Sequence, residues 1–157
     1  MKALIQRVLS ASVQVDDQIV ANIGNGLLVL IGIGSSDTKE DIAYLVDKTI
    51  NLRIFNDESG KFNLSALDVT ADLLIVSQFT LYANTRRGRR PSFSEAASPE
   101  SAWPIFETIV DLFRETGLNV ETGRFQENMV VSSKNNGPVT IIIDTNDRNT
   151  SKKTKLI

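Results

Sequence analysis

Three polar side chains crowd the stretch Ser77-Gln78-Phe79-Thr80, and two of them are hydroxyls of the kind that serve as nucleophiles once activated. Activation is the difficulty. The 157-residue chain has no histidine and no cysteine, so neither a Ser-His-Asp nor a Cys-His arrangement can be built, nor an imidazole or thiolate zinc site. Chemistry here must use hydroxyls, carboxylates, amides, backbone groups or the substrate itself. No base stands near Ser77 or Thr80 in sequence, so a covalent nucleophile has little support. Taken as the end of one apolar strand, DLLIVSQFTLYA puts Ser77, Phe79 and Leu81 on one face and Gln78, Thr80 and Tyr82 on the other. A strand end facing water would carry the same residues, and both readings stay open.

Other stretches offer binding rather than bond-breaking. In TRRGRRPS, Arg86, Arg87, Arg89 and Arg90 surround Gly88 in a chain whose net charge is −2. Guanidinium groups match phosphate oxygens in pairs, so this loop reads as a phosphate contact that positions a polyanion without reading its sequence. The plainer reading is a solvated loop. Lys152, Lys153 and Lys155 form a second basic group near the end of the chain. RFQENM supplies Arg124, Phe125 and Met129, where an aromatic could stack on a base, although core packing explains Phe125 and Met129 as well. Gly24, Gly26, Gly32 and Gly34 lack the third glycine of a dinucleotide loop and the Gly-Lys-Ser/Thr of a P-loop, so they read as turn and strand-end glycines. In NNGPVT a Gly-Pro pair precedes the β-branched run of a buried strand; a turn with a trans proline is the default there.

These residues need a frame. A hydrophobic share of 41% and a charged share of 23% fit one soluble globular domain, and no apolar run approaches the roughly 20 residues of a membrane span. ALIQRV, SVQVD, IVANI and LLVLIGI read as short strands separated by turn residues. Ile42, Leu45, Val46, Thr49 and Ile50 then recur at helical spacing, after Asp37-Thr38-Lys39-Glu40 in the form of a capping box. IFNDESGKFNLS is a polar turn between two extended pieces. Ser98, Pro99 and Glu100 read as the opening of a second helix that Gly117 ends, with Pro104 awkwardly placed: either the first turn is irregular or the regular helix begins near Trp103. LNVET, MVVSS and VTIIID supply the last strands. The order predicts a single α+β domain with a mixed, largely antiparallel, barrel-like sheet and two helices. From Thr145 onward the chain is expected to fray.

Taken together, SQFTLYA, RRGRRPSFSEAA and NNGPVT at these separations resemble the D-aminoacyl-tRNA deacylases, and IQRV…ASVQV, IGNGLLVLIGI and NLRIF agree. The resemblance runs from Met1 to about Asp144, so residues 1–144 are read as the deacylase domain and 145–157 as a polar tail. It implies a cytoplasmic homodimer, with no cofactor, metal or membrane involved, that hydrolyses the ester between a D-amino acid or glycine and the 3′-terminal ribose of tRNA. It implies further that Ser77, Gln78, Phe79 and Thr80 of one subunit face a Gly-cis-Pro motif, Gly137 and Pro138, from the other. Arg7 matches the arginine that steadies that turn, and Phe125 and Met129 match positions lining a pocket for the terminal adenine. Asn136 stands where the family commonly has Asp. Such proteins are thought to hold the ester rather than attack it, with backbone N–H groups near Gln78 and Phe79 polarising the carbonyl and the ribose 2′-OH assisting. Without the resemblance, a non-catalytic RNA- or nucleotide-binding module would rank equally, and a small-metabolite hydrolase would follow.

Overall fold

The structure is a computed structural model that describes residues 1–149. Its chain order is β1 (Lys2–Val15), β2 (Gln18–Ile23), β3 (Gly26–Gly32), α1 (Lys39–Asn51), β4 (Phe55–Asn56), β5 (Phe62–Leu64), β6 (Asp72–Ser77), α2 (Pro99–Glu115), β7 (Val120–Thr122) and β8 (Val130–Asp144). Antiparallel pairings join β1 to β2, β3 and β8, and parallel ones join β3 to β6 and β6 to β7. The sheet order is β2-β1-β3-β6-β7 with β8 on the other edge of β1, and β2 curls within contact of β6 and β7. The fold is therefore α+β, with a mixed sheet close to a barrel and two helices, as expected.

Side-chain alternation separates two cores. Ala3 and Ile5 of β1, Leu27 and Val29 of β3, and Leu73 and Ile75 of β6 face the helices, where Leu45, Ile109 and Phe113 meet them. Leu28, Leu74 and Val76 point the opposite way and join Val8, Val13 and Ile23 in a second cluster on the inner side of the curl.

The expected pair of strands at the amino end is one strand. β1 runs unbroken to Val15, but its register against β8 slips between Gln6 and Val8 and again between Val8 and Ser10. The irregularity changes which parity faces inward, and a period-2 reading takes that phase break for a strand end. MVVSS and VTIIID likewise belong to the single strand β8. Conversely, DLLIVSQFTLYA is a strand only to Ser77; Phe79–Tyr82 is a 3-10 turn, so the predicted two-faced alternation beyond Ser77 does not exist.

At α1 the cap lies one residue later than the sequence pattern placed it. Thr38 is the N-cap, and the Asp41 carboxylate accepts from both its N–H at 2.8 Å and its hydroxyl at 2.9 Å. α2 begins with Ser98 as N-cap and Pro99 in its first turn, and Gly117 follows it at φ 82°, as predicted. Pro104 lies within regular helix; the carbonyl it leaves without an N–H partner is that of Glu100, exposed in the opening turn. Residues Thr145–Asn149 do not fray. They form a 3-10 turn in which Thr145 is buried, its N–H bonded to the Met1 carbonyl at 2.9 Å and its hydroxyl to the Met1 ammonium at 2.7 Å. The lysine group at 152, 153 and 155 lies outside the described residues.

Candidate active site

Because β3 and β6 are parallel, both strands deliver their carboxyl ends to the same edge of the sheet. The last bond of that ladder runs from the Gln78 N–H to the Ile31 carbonyl at 2.7 Å. Beyond it the chain tightens into the Phe79–Tyr82 turn, with Leu81 N–H donating to the Gln78 carbonyl at 3.2 Å. The turn packs directly on the backbone of the segment after β3. A Cβ on Gly34 would stand 2.6 Å from the Tyr82 hydroxyl, so that glycine is there for close approach. Asp37 ties the assembly together: one carboxylate oxygen accepts from the Gly34 N–H at 2.6 Å and the Tyr82 hydroxyl at 3.4 Å, the other from the Met1 ammonium at 2.5 Å. Burial, then the negative charge of Asp37 beside it, pushes the Tyr82 hydroxyl well above the usual tyrosine range, so it stays a donor.

A cavity of about 510 Å³ opens at this edge, within the size range of small-ligand sites. Ile31, Ile33, Ser77, Gln78 and Phe79 form one wall; Ser98, Pro99 and Ala102 of α2 form another; Phe93, Phe125 and Gln126 complete it. Phe93 meets Phe79 edge-on, with ring centroids 5.0 Å apart. Gln126 is held at φ 62°, a left-handed conformation uncommon for a residue other than glycine. The Gln78 side-chain amide donates to the Thr80 hydroxyl oxygen, leaving the hydroxyl proton free to donate elsewhere. Since the Gln78 N–H is already bonded to Ile31, it is not available to a substrate carbonyl. The N–H groups of Phe79 and Thr80 open the turn and find no carbonyl partner within it.

The other predicted residues divide. Phe125 lines the cavity; Met129 does not, being half-buried against Gly123 and the second core cluster. Arg86, Arg87, Arg89 and Arg90 are all exposed on a loop pinched at its base by paired bonds between Asn84 and Ser92, at 2.8 and 3.0 Å. Phe93 follows directly, so the arginine loop adjoins the cavity wall.

Gly137 and Pro138 lie elsewhere. Between the pairs Gln6–Thr140 and Val8–Asn135, β1 advances two residues while β8 advances five, so β8 bulges outward. Asn135 closes the base of the bulge by accepting from the Val139 N–H at 2.7 Å and donating to its carbonyl at 3.2 Å. Gly137 and Pro138, joined by a cis peptide bond, are exposed at the top. Arg7 supports the bulge from below, with only 5% of its surface exposed. Its Nε donates to the Asn136 carbonyl at 3.0 Å, and its Nη1 to the Ile54 carbonyl at 2.6 Å and the Asn56 amide oxygen at 3.1 Å. No residue of β8 lines the 510 Å³ cavity of the same chain.

Residues 4–144 match the family model described as D-Tyr-tRNA(Tyr) deacylase. The chain belongs to this family. It is 56% identical to the D-aminoacyl-tRNA deacylase of Thermosipho africanus over 92% of its length and 97% of the relative's, and 55% identical to that of Clostridium botulinum over the same shares. Among solved structures it is similar to a c-Myc DNA unwinding element binding protein, with a TM-score of 0.87 at 39% identity, covering 92% of this chain and 98% of that one. A probable eukaryotic D-amino acid tRNA deacylase shares the fold, with a TM-score of 0.79 at 18% identity over 90% of this chain and 97% of that one. As a deacylase the chain is a hydrolase, and the cavity beside Ser77–Phe79 is its candidate centre. The sequence marked Asp37 only as the head of a capping box, and neither motif nor spacing gives Tyr82, Phe93 or Gln126 a place at a site. The phenylalanine standing three residues after Arg90 is the one available hint.

Proposed function

We propose that this chain hydrolyses the ester between a D-amino acid, or glycine, and the 3′-terminal ribose of tRNA, working as a homodimer in the cytoplasm. The observation that carries the reading is the division of the motif residues. The cavity holds Ser77, Gln78 and Phe79 but nothing from β8, while Gly137 and Pro138 stand exposed on a braced bulge. A second protomer's bulge fits the role of the missing wall. No helix of the described residues is long and apolar enough to cross a membrane.

In this reading the terminal adenine packs against Phe125 and the ester carbonyl reaches the N–H groups of Phe79 and Thr80. One oxyanion donor of this kind typically lowers the barrier by roughly 2.7–4 kcal/mol. The ribose 2′-OH assists the attacking water, and positioning does the rest because an aminoacyl ester is already labile. Carbonyl oxygens of the partner's Gly137–Pro138 bind the substrate amino group and occupy the direction an L side chain would take, so selection works by exclusion and glycine passes. Arg86, Arg87, Arg89 and Arg90 hold phosphates of the acceptor end.

The deciding experiment compares deacylation of D-, L- and glycyl-tRNA at catalytic enzyme concentration. D- and glycyl-tRNA should be cleared and L-aminoacyl-tRNA spared; equal clearance of D and L removes the exclusion model. Thr80→Ala should retain substantial activity, since Thr80 is no nucleophile here; a trapped acyl-threonine in the wild type would reverse that assignment. Replacing Arg87 and Arg89 by Gln should weaken tRNA binding and reduce the slope of log affinity against log salt by about 0.7–0.9 for each phosphate no longer neutralised.

A further inference from the structure

We infer that a second cavity, on the far side of Phe125, is the subsite for the base of the nucleotide immediately 5′ to the terminal adenosine. The inference rests on the tRNA reading above. The second cavity measures about 240 Å³ and shares Phe125 with the first. Helix α2 serves both: Ser98, Pro99 and Ala102 near its start face the first cavity, and Trp103, Glu107, Val110 and Arg114 face the second. A ligand leaving the first cavity past Phe125 therefore meets Trp103 next.

Trp103 is built for that encounter. It leans on Phe125, with centroids 5.0 Å apart, and Phe125 leans on Phe106 at 5.8 Å, yet 44% of the tryptophan remains exposed. A core role would bury the indole; here it offers an aromatic surface for stacking, anchored from behind. The charges around it sort a nucleotide's parts. Arg124, adjacent to Phe125 and exposed, makes no ion pair with a described carboxylate and can take the phosphate that joins the two nucleotides. On the α2 side Asp111 is paired with Arg114 at 3.4 Å, which leaves the Glu107 carboxylate to accept from an exocyclic amine, the arrangement that favours cytosine. Transfer RNA ends in cytidine-cytidine-adenosine, so the base that follows inward is cytosine.

Trp103 is the single tryptophan of the chain, so its fluorescence reports its own stacking. Wild-type protein titrated with the dinucleotide cytidylyl-adenosine should show quenching and tighter binding than with adenosine 5′-monophosphate. Trp103→Ala should lower affinity for the dinucleotide by about 5- to 150-fold, the range for losing one base–aromatic stack, and leave adenosine 5′-monophosphate binding unchanged. Glu107→Gln should reduce the preference for cytidylyl- over uridylyl-adenosine. Equal quenching by the mononucleotide, or an unaltered dinucleotide affinity in Trp103→Ala that still binds the mononucleotide, overturns the subsite. Should Trp103→Ala fail to fold, Arg124→Gln and the wild-type titration decide. Deacylation of D-aminoacyl-tRNA by the wild type is scored separately, so loss of the subsite and loss of the tRNA reading give different results.

Discussion

Arg7 is a buried cation held by two carbonyl oxygens and an amide oxygen, with the Phe62 ring 5.2 Å from its guanidinium carbon. Lysine keeps the charge but not the fork, and cannot reach the Asn136, Ile54 and Asn56 oxygens together. Arg7→Lys should cost about 1.5–3 kcal/mol in urea unfolding, the range for a hydrogen bond to a charged group. Deacylation should fall as well, because the Asn136 carbonyl at the foot of the Gly137–Pro138 bulge loses its anchor. Gly137 itself tolerates no side chain: at φ 138°, an added Cβ would stand 2.7 Å from a Val139 methyl and 3.1 Å from the Arg7 guanidinium. The residue types of this site were legible in the sequence. Arg7 was named as the brace of the turn only through the resemblance, and its anchors at Ile54 and Asn56 were not legible, since they meet it only through the fold.

Among the elements, α1 gives the most direct test of local electrostatics. Burial pushes the Asp41 carboxyl up, but hydrogen bonds from Thr38 and Thr145 outweigh it and hold the group below the ordinary aspartate value. A carboxyl lowered by folding stabilises the protein above the unfolded pKa, near 4, and loses that contribution as pH falls through the lower folded value. Asp41→Asn should therefore cost about 1 kcal/mol at neutral pH, and the gap to wild type should close in acid melts below about pH 4. The helices were the most readable elements, because Ser98-Pro99 and Gly117 act locally. The long strands were the least readable. Period-2 alternation needs a constant register, and both β1 and β8 change register where the Arg7 and Gly137 structures sit. The Phe79–Tyr82 turn is hidden from a sequence reading for a related reason: it forms because Gly32 and Gly34 admit Leu81 and Tyr82, which is a tertiary fact.

For the whole molecule, β1, β2 and β8 expose Leu9 at 55%, Ile19 at 66%, Val130 at 56% and Ile142 at 72%, large apolar side chains that a lone protomer leaves in water. Ile142 is the most exposed of them, and the proposed homodimer covers the face of β8 that carries it. Ile142→Asp should convert the protein to a monomer in sedimentation, keep its circular dichroism and abolish deacylation. A monomeric variant with full activity would show that one chain completes its own site. This face cannot be read from residue order, because the β-branched run of VTIII reads as buried on both sides whereas only alternate residues are.

The pairing of Lys2 with Asp144 and of Gln14 with Val130 carries a consequence for biosynthesis. β1 is the first strand to be made and the last to be completed, because its outer edge waits for the final segment of the domain. Until β8 arrives, a nascent chain displays that edge bare, the state most prone to pair with a neighbour. Arg7 waits too, since the Asn136 carbonyl it holds belongs to the same late strand. A ribosome stalled before Val130 would thus release a chain with its hydroxyl-bearing turn already encoded and the support for its selective bulge absent. Loss of even the last dozen residues of the domain should yield aggregation rather than a weakened enzyme.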